Sequence, residues 1–348
     1  MKIDLVVELD SAWDNFVNQN CYPEYSLFKL SNWYKVICNT YKFKSHYLQA
    51  VDDSKIIGAF PIVLVKSKIF GNRLISLPFT GYGCGPVISK NHKQVLREFH
   101  EKILEIAEQT DVKFVEIRDP SKDIIPILED IGYVSKLKYS NFFLDTSKSE
   151  EDVWLSFHKQ VRNSIKRAEN TGIKIVSGTI NELYELHLKV MKELGTPPHK
   201  KSFYYNVADI YGSNFKILFA EFESEKISVV SFIKNNNCIT WLDGFCPLKY
   251  KTLNPISFLL WNAIKWAKEN HCTLFDFGDS REPSGNFDFK KRWGTAIVNS
   301  PRYYFFLDKS AVVDPRMDKY NKNIERWKKL PLIITKLIGP WLRNQIGA

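Results

Sequence analysis

Residues 95–121, VLREFHEKILEIAEQTDVKFVEIRDPS, match residues 255–281, PISFLLWNAIKWAKENHCTLFDFGDSR, at a constant offset of about 160 residues, the mark of one folding unit used twice. The pairing needs no gap. Ala107 meets Ala267, Val112 meets Cys272, Phe114 and Val115 meet Leu274 and Phe275, Glu116 meets Asp276, and Asp119 meets Asp279. In each copy apolar residues recur at i, i+3 and i+4, then give way to a polar break and a β run ending in acidic and turn residues. That is the layout of a helix feeding a strand of a central sheet.

Two further segments extend the repeat. Residues 46–65, HYLQAVDDSKIIGAFPIVLV, and 216–233, KILFAEFESEKISVVSFI, each read as a β-hairpin with a polar turn. Each half therefore opens with helices (around 11–19 and 26–40, then 151–171 and 180–195) and runs on through hairpin, strand, long helix and strand. The polar run DTSKSEE at 145–151 offers a linker and a helix N-cap, and fixes the expected boundary. The expected fold is α/β (α+β): a first domain at 1–147 and a second at 148–310, each a mixed β-sheet flanked by helices, then a basic tail at 311–348. A length of 348 residues with 44% hydrophobic and 25% charged residues suits two globular cores.

Lys and Arg outnumber Asp and Glu by 49 to 39, a formal charge of +10 that favours polyanions such as RNA, nucleotide phosphates or an anionic membrane. The six cysteines form no CxxC and lie at no zinc-ligand spacing, so they read as reduced thiols. The seven histidines are scattered, with no HExxH, and no metal is expected. The N-terminal MKIDLVVELDSAW carries acids inside a short apolar run and reads as a first strand rather than a signal peptide. No stretch reaches the roughly 20 apolar residues of a membrane span. The expected location is the cytoplasm.

Four segments carry chemistry: GYGCGP at 81–86, WLSFHKQVRNSIKRA at 154–168, LFDFGDS at 274–280 and GNFDFKKRWG at 285–294. A strand ending in D-x-G (Asp276, Gly278), a Gly-bearing turn and then Phe289-Lys290 with Gly294 resemble the pattern of the FemA/FemB-type peptidoglycan-bridge aminoacyltransferases, a family of tandem GNAT-like acyltransferases. The resemblance covers nearly the whole chain. It implies two tandem GNAT-like (acyl-CoA N-acyltransferase) domains, the first on the acceptor side and the second catalytic and on the donor side. It also implies that Phe289 and Lys290 lie in the catalytic cavity of the second domain.

Chemistry gives a separate reason for a lysine there. When an amine attacks an ester or thioester carbonyl, negative charge grows on the carbonyl oxygen, and a fixed cation in a water-poor site stabilises it. Without the motif, Lys290 would read as one more solvated member of Lys290-Lys291-Arg292. The donor is already activated, so no side-chain nucleophile is required, and no GxSxG elbow is present. Asp276, near a strand end, can orient or deprotonate the amine or simply bond the following turn. Gly278 frees the backbone for a close approach to a ligand.

The helix at 154–168 carries Lys159, Arg162, Lys166 and Arg167; Arg162 and Lys166 lie at i, i+4 on one face, and this basic stripe can meet donor phosphates, or make a plain solvated face above the seam of Trp154, Phe157, Val161, Ile165 and Ala168. GYGCGP makes a tight loop in the first domain, and the family's use of that region makes Tyr82 and Gly83 candidate acceptor contacts. Arg118 and Asp119, ending the matching strand, can clamp an anionic acceptor or form an ion pair that caps a turn. The entry to the second long helix, Pro247 to Pro255, has no glycines, unlike the pyrophosphate loop of acetyl-CoA-dependent GNAT domains. That favours aminoacyl-tRNA over acyl-CoA as co-substrate, though Lys249 and Lys251 can still meet phosphate.

Residues 320–348 set Lys328, Lys329, Lys336 and Arg343 beside Leu330, Leu332, Ile333, Ile334, Leu337, Ile338 and Trp341. This pattern suits either an interfacial helix on anionic lipid at the inner face of the membrane or a helix docked on the protein's own core. The expected function is transfer of an aminoacyl or acyl group to an amine of a cell-envelope precursor or glycan. Two alternatives stay open: an acetyl-CoA-dependent N-acetyltransferase acting on an amino sugar or polysaccharide precursor, and a non-catalytic RNA- or membrane-binding module.

Overall fold

The computed structural model of the chain describes residues 1–22, 26–311 and 321–347. They group into two units, one within residues 1–140, 299–311 and 344–347, the other within 141–298 and 321–343. The chain thus passes between units at Ser140–Asn141, just before the polar run expected to divide them. Residues 312–320 and 348 of the expected tail, including Tyr320, lie outside the described residues.

The first unit runs β1 (Lys2–Val6), α1 (Ser11–Asn20), α2 (Ser31–Tyr41), β2 (Lys44–Asp52), β3 (Lys55–Val65), β4 (Asn72–Ile75), β5 (Val87–Ile88), α3 (His92–Glu108), β6 (Val112–Arg118), α4 (Ile125–Ile131) and β7 (Val134–Leu137). Asp10 starts α1 by accepting the amides of Ala12 and Trp13 at 3.1 Å, which satisfies two donors the helix leaves over. The β2–β3 turn places Asp53 and Ser54 at φ 47° and 62°, the left-handed pair of a tight hairpin whose twist matches its strands. β4 and β6 pair in parallel, and α3 crosses between them. It buries Val95, Leu96, Phe99, Ile103, Ile106 and Ala107 against Leu48, Phe60, Leu74 and Val115 of the sheet. Each large side chain so buried stabilises the unit by roughly 1.5–3 kcal/mol before entropy is counted.

The second unit follows with β8 (Tyr139–Asp145), α5 (Glu150–Ser156), α6 (Lys159–Asn170), β9 (Lys174–Val176), α7 (Ile180–Leu194), α8 (Lys201–Tyr211), β10 (Phe215–Phe222), β11 (Glu225–Asn235), β12 (Cys238–Phe245), α9 (Pro255–Glu269), β13 (Leu274–Arg281), α10 (Gly285–Lys291) and β14 (Ala296–Asn299). Its hairpin turn, Glu223-Ser224, repeats the left-handed pair at φ 51° and 62°. β12 and β13 again pair in parallel across a helix, α9, which buries Phe258, Leu259, Leu260, Trp261, Ala263, Ile264 and Ala267. The repeat holds at the level of register: Glu116 faces Ile75 and Asp276 faces Thr240 at the last parallel pair of each unit. Pro255 opens α9 at a position where its missing N–H is no loss.

The last strand, β15 (Arg302–Phe306), corrects the expected division at 310. Although it follows the second unit in sequence, it pairs antiparallel with β6 and β7 and completes the first unit's sheet, whose order is β1-β2-β3-β4-β6-β15-β7 with β5 on β3. The second sheet runs β14-β8-β13-β12-β11-β10-β9. A second correction concerns the single helix expected over 151–171. It is two helices, because the Phe157 backbone is extended (φ −69°, ψ 141°) and His158 starts a new helix by accepting the Gln160 amide on Nδ1 at 3.2 Å. The break turns the Phe157 ring into the core against Trp261 and Trp293. Two helices close the chain, α11 (Asn321–Lys329) and α12 (Leu332–Ile346).

Candidate active site

β12 and β13 pair only through Cys238–Leu274, Ile239–Phe275 and Thr240–Asp276. Beyond that point β12 stays with β11, through a bulge at Leu242 that sets Trp241 opposite Phe232 and Asp243 opposite Ser231. The two strands therefore part at their C-terminal ends, the place where parallel sheets leave backbone groups free to meet ligands. Trp241 and Phe277 flank the start of the gap, ring centroids 6.0 Å apart. The Trp241 indole donates to the Asp243 carbonyl at 2.7 Å. This fold-back requires a glycine at 244, since a Cβ there would stand 2.7 Å from the indole carbon Cζ2.

α10 carries Lys290 to this gap. Ser284 starts the helix by accepting the Phe287 amide at 3.1 Å, and the last turn brings the Lys290 ammonium to the Asp279 carbonyl at 2.7 Å. Its Nζ lies 5.7 Å from the Trp241 ring centre and 5.9 Å from that of Phe142. The residue is 8% exposed. Burial pushes its amine down to about 8, a fall that the charges of Asp279 and Asp276 partly oppose. Near pH 7 the group is still mainly an ammonium, held in a low-dielectric setting with aromatic faces around it. Phe289, half-buried, packs on Trp241 and Trp293.

Asp276 is fully buried and bonded on both oxygens: Oδ1 accepts the Gly278 amide at 2.7 Å and Oδ2 the Thr240 hydroxyl at 3.3 Å. Gly278, at φ 73°, supplies the left-handed turn that lets its amide reach back. These contacts favour a positioning role for Asp276 over proton transfer. Another carboxylate, Asp243, has a raised proton affinity. Asp243, three residues past Thr240, the last residue of β12 paired with β13, accepts the Tyr204 hydroxyl at 3.1 Å. Burial raises its carboxyl to about 7, against the opposing Tyr204 hydrogen bond and Arg343 charge. Behind it Tyr204 reaches His187 Nδ1 at 3.4 Å, and His187 Nε2 accepts the His199 amide at 2.9 Å. Burial, then the Arg343 charge, lowers His187 to about 3, so it is neutral at ordinary pH.

The residues expected to hold a donor are spread more widely. Arg162 turns back to the Leu155 carbonyl at 2.9 Å and Lys166 lies over the Trp154 ring at 6.0 Å. Lys249 faces Glu225 at 3.6 Å and sits over Tyr250 at 4.3 Å, and Lys251 is exposed nearby. A pocket of about 390 Å³ lies instead on the neighbouring face of α6, lined by His158, Lys159, Gln160, Asn163, Ser164, Arg167 and Asn254. There the N-terminus of α6 meets the Asn254 cap of α9, and Lys159 and Arg167 add positive charge.

In the first unit the four acceptor candidates do come together. The Asp119 carboxylate accepts the Gly83 amide at 2.9 Å, and Gly85 leaves no room for a side chain, its Cβ position being 2.8 Å from Pro120 Cα. Tyr82 is 2% exposed, its ring edge-on to Phe28 at 5.1 Å. Arg118 is also 2% exposed, and bonds Glu116 at 2.8 Å and the Thr80 carbonyl at 2.5 Å. Burial alone would raise Glu116, but Arg118, Arg302 and Arg73 outweigh it and hold its carboxyl below the usual range. Arg118 thus takes the ion-pair alternative.

Comparison with known proteins bears on this geometry. Residues 128–229 match the FemAB family model. A FemX crystal structure superposes with a TM-score of 0.66 at 14% identity, covering 89% of this chain and 98% of that one. A tandem GNAT protein from the clavulanic acid biosynthesis pathway gives 0.60 at 10% identity, covering 88% and 98%. The chain has the FemAB-type tandem GNAT fold. The C-terminal domain of a putative lysylphosphatidylglycerol synthetase from Agrobacterium fabrum shares it at a TM-score of 0.54 and 10% identity, over 86% of this chain and 91% of that one. No curated protein sequence matches. The FemAB match and the fold together support an acyltransferase.

Within this FemAB-type fold, sequence reasoning missed Asp243 and Trp241. Asp243 lies in WLDGF, where nothing marks a bulge. Lys159 and Arg167 were legible as members of the basic helix at 154–168, but only the α5–α6 break shows which basic face meets α9. Among the described residues no group of His, Cys, Asp and Glu could hold a metal.

Proposed function

We propose that this protein transfers an aminoacyl or acyl group from an activated donor, aminoacyl-tRNA or acyl-CoA, to an amine of a cell-envelope precursor or glycan. The observation that carries the reading is the buried Lys290 ammonium at the parting of β12 and β13, fixed by the Asp279 carbonyl. The neutral amine attacks the donor carbonyl, and the C=O electron pair moves onto oxygen. Lys290 stabilises that oxyanion. Collapse of the tetrahedral intermediate re-forms the C=O and expels the ribose hydroxyl or the thiol, which takes up a proton. The attacking nitrogen loses one proton to solvent as the amide forms. Asp276 and Gly278 hold the end of β13 in place, and Phe289 walls the site. The Lys159–Arg167 pocket, with Lys249 and Lys251 beyond it, is suited to donor phosphates.

Incubating the protein with charged tRNA, and separately with acyl-CoA, in the presence of an amine panel tests the reading. Amide product detected by mass spectrometry with one donor class supports it and names the donor. Absence of product with both, from folded protein, overturns it.

A further inference from the structure

α12 is built inside out. A helix on a protein surface ordinarily buries its apolar stripe, yet here the inward residues are small or polar: Thr335 is 1% exposed, and Gly339 packs so tightly that a Cβ would stand 2.4 Å from Pro198. The outward residues are Ile333, Ile334, Leu337, Ile338 and Trp341, between 39% and 71% exposed. Their spacing, i, i+4 and i+8 with flanking neighbours, makes one continuous stripe on a helix anchored from behind by Trp327 of α11. An apolar stripe this long, left in water, marks an interaction surface.

Charge decides what covers it. From Arg326 to the end of the chain there are five basic residues, Arg326, Lys328, Lys329, Lys336 and Arg343, and no acid. Arg326, Lys329 and Lys336 are exposed; Lys328 bonds Glu325 at 2.8 Å, and Arg343 faces His199 at 3.1 Å. Two copies meeting through this face would bring like charges together, whereas an anionic lipid surface accepts apolar side chains and cations at once. The helix cannot span a bilayer: no described helix is long and apolar enough. We infer that the outward face of α12 lies in the interface of an anionic phospholipid bilayer, with Ile333, Leu337 and Trp341 inserted among the acyl chains and Lys329 and Lys336 at the headgroups. This binding needs no catalysis, so its failure would leave the proposed acyl transfer untouched.

The test is flotation of the full chain with vesicles of pure phosphatidylglycerol and of pure phosphatidylcholine, alongside L337S/W341S and K329E/K336E. Both pairs are exposed, so the fold should survive, which circular dichroism checks. Wild type is expected to float with phosphatidylglycerol at least about tenfold more than with phosphatidylcholine, less so as salt rises. L337S/W341S should lose binding by about tenfold or more, and K329E/K336E should lose the lipid preference. Wild type that stays with the soluble fraction, or floats no better than L337S/W341S, overturns the inference. So would a dimer in sedimentation velocity that L337S/W341S abolishes, which would assign the face to self-association.

Discussion

An ammonium enclosed by Trp241 and Phe142 is a poor ion in the ground state and a strong one when an oxyanion forms beside it, and Lys290 has that setting. Lys290→Met is expected to lower the single-turnover transfer rate about 10²–10³-fold with little change in melting temperature. Because burial lowers the Lys290 amine to about 8, the wild-type rate should fall as pH rises through 8. The Asp243 carboxyl, raised to about 7 by burial, acts on stability. A carboxyl raised in the folded state binds protons more tightly than in the unfolded chain, so it favours folding as pH falls through 7. Above pH 7 the buried charge opposes folding, and Asp243→Asn should raise the thermal midpoint there. Lys290 was legible from its Phe-Lys motif. Asp243 was not, because its proton affinity arises from enclosure beside Tyr204, which no local pattern encodes.

Gly244 shows how an element is shaped by one missing side chain. Gly244→Ala places a methyl against the Trp241 indole, so either the ring or the strand must shift. The expected cost is about 1–3 kcal/mol of stability by chemical denaturation, with a reduced transfer rate because Trp241 borders Lys290. The α5–α6 pair illustrates the limit of periodicity. Its apolar spacing runs without interruption from Val153 to Ala168, and only tertiary contacts of Phe157 with Trp261 and Trp293 explain why the chain breaks there. That break gives Lys159 and Arg167 their shared pocket with Asn254. Reversing both to Glu is expected to raise the donor KM about tenfold or more with kcat little changed, measured by initial rates at varied donor.

Across the molecule, one plan is used twice with different contents at the same register. At the last parallel pair the first unit has Glu116, neutralised by Arg118 with Arg302 near, while the second has Asp276, bonded to Thr240 and Gly278 beside Lys290. The helix, hairpin and strand order of both units was legible because each depends on local periodicity. The return of β15 to the first sheet was not, since strand pairing at that distance in sequence leaves no local trace. Ionised Lys290 of the second unit is proposed to stabilise the transition state of acyl transfer. The most direct measurement is the single-turnover transfer rate of wild type and Lys290→Met across a pH range spanning 8. The wild-type rate is expected to fall above pH 8, and the variant rate to be about a hundredfold lower with no such fall. A folded Lys290→Met protein with the wild-type rate and pH profile would contradict it.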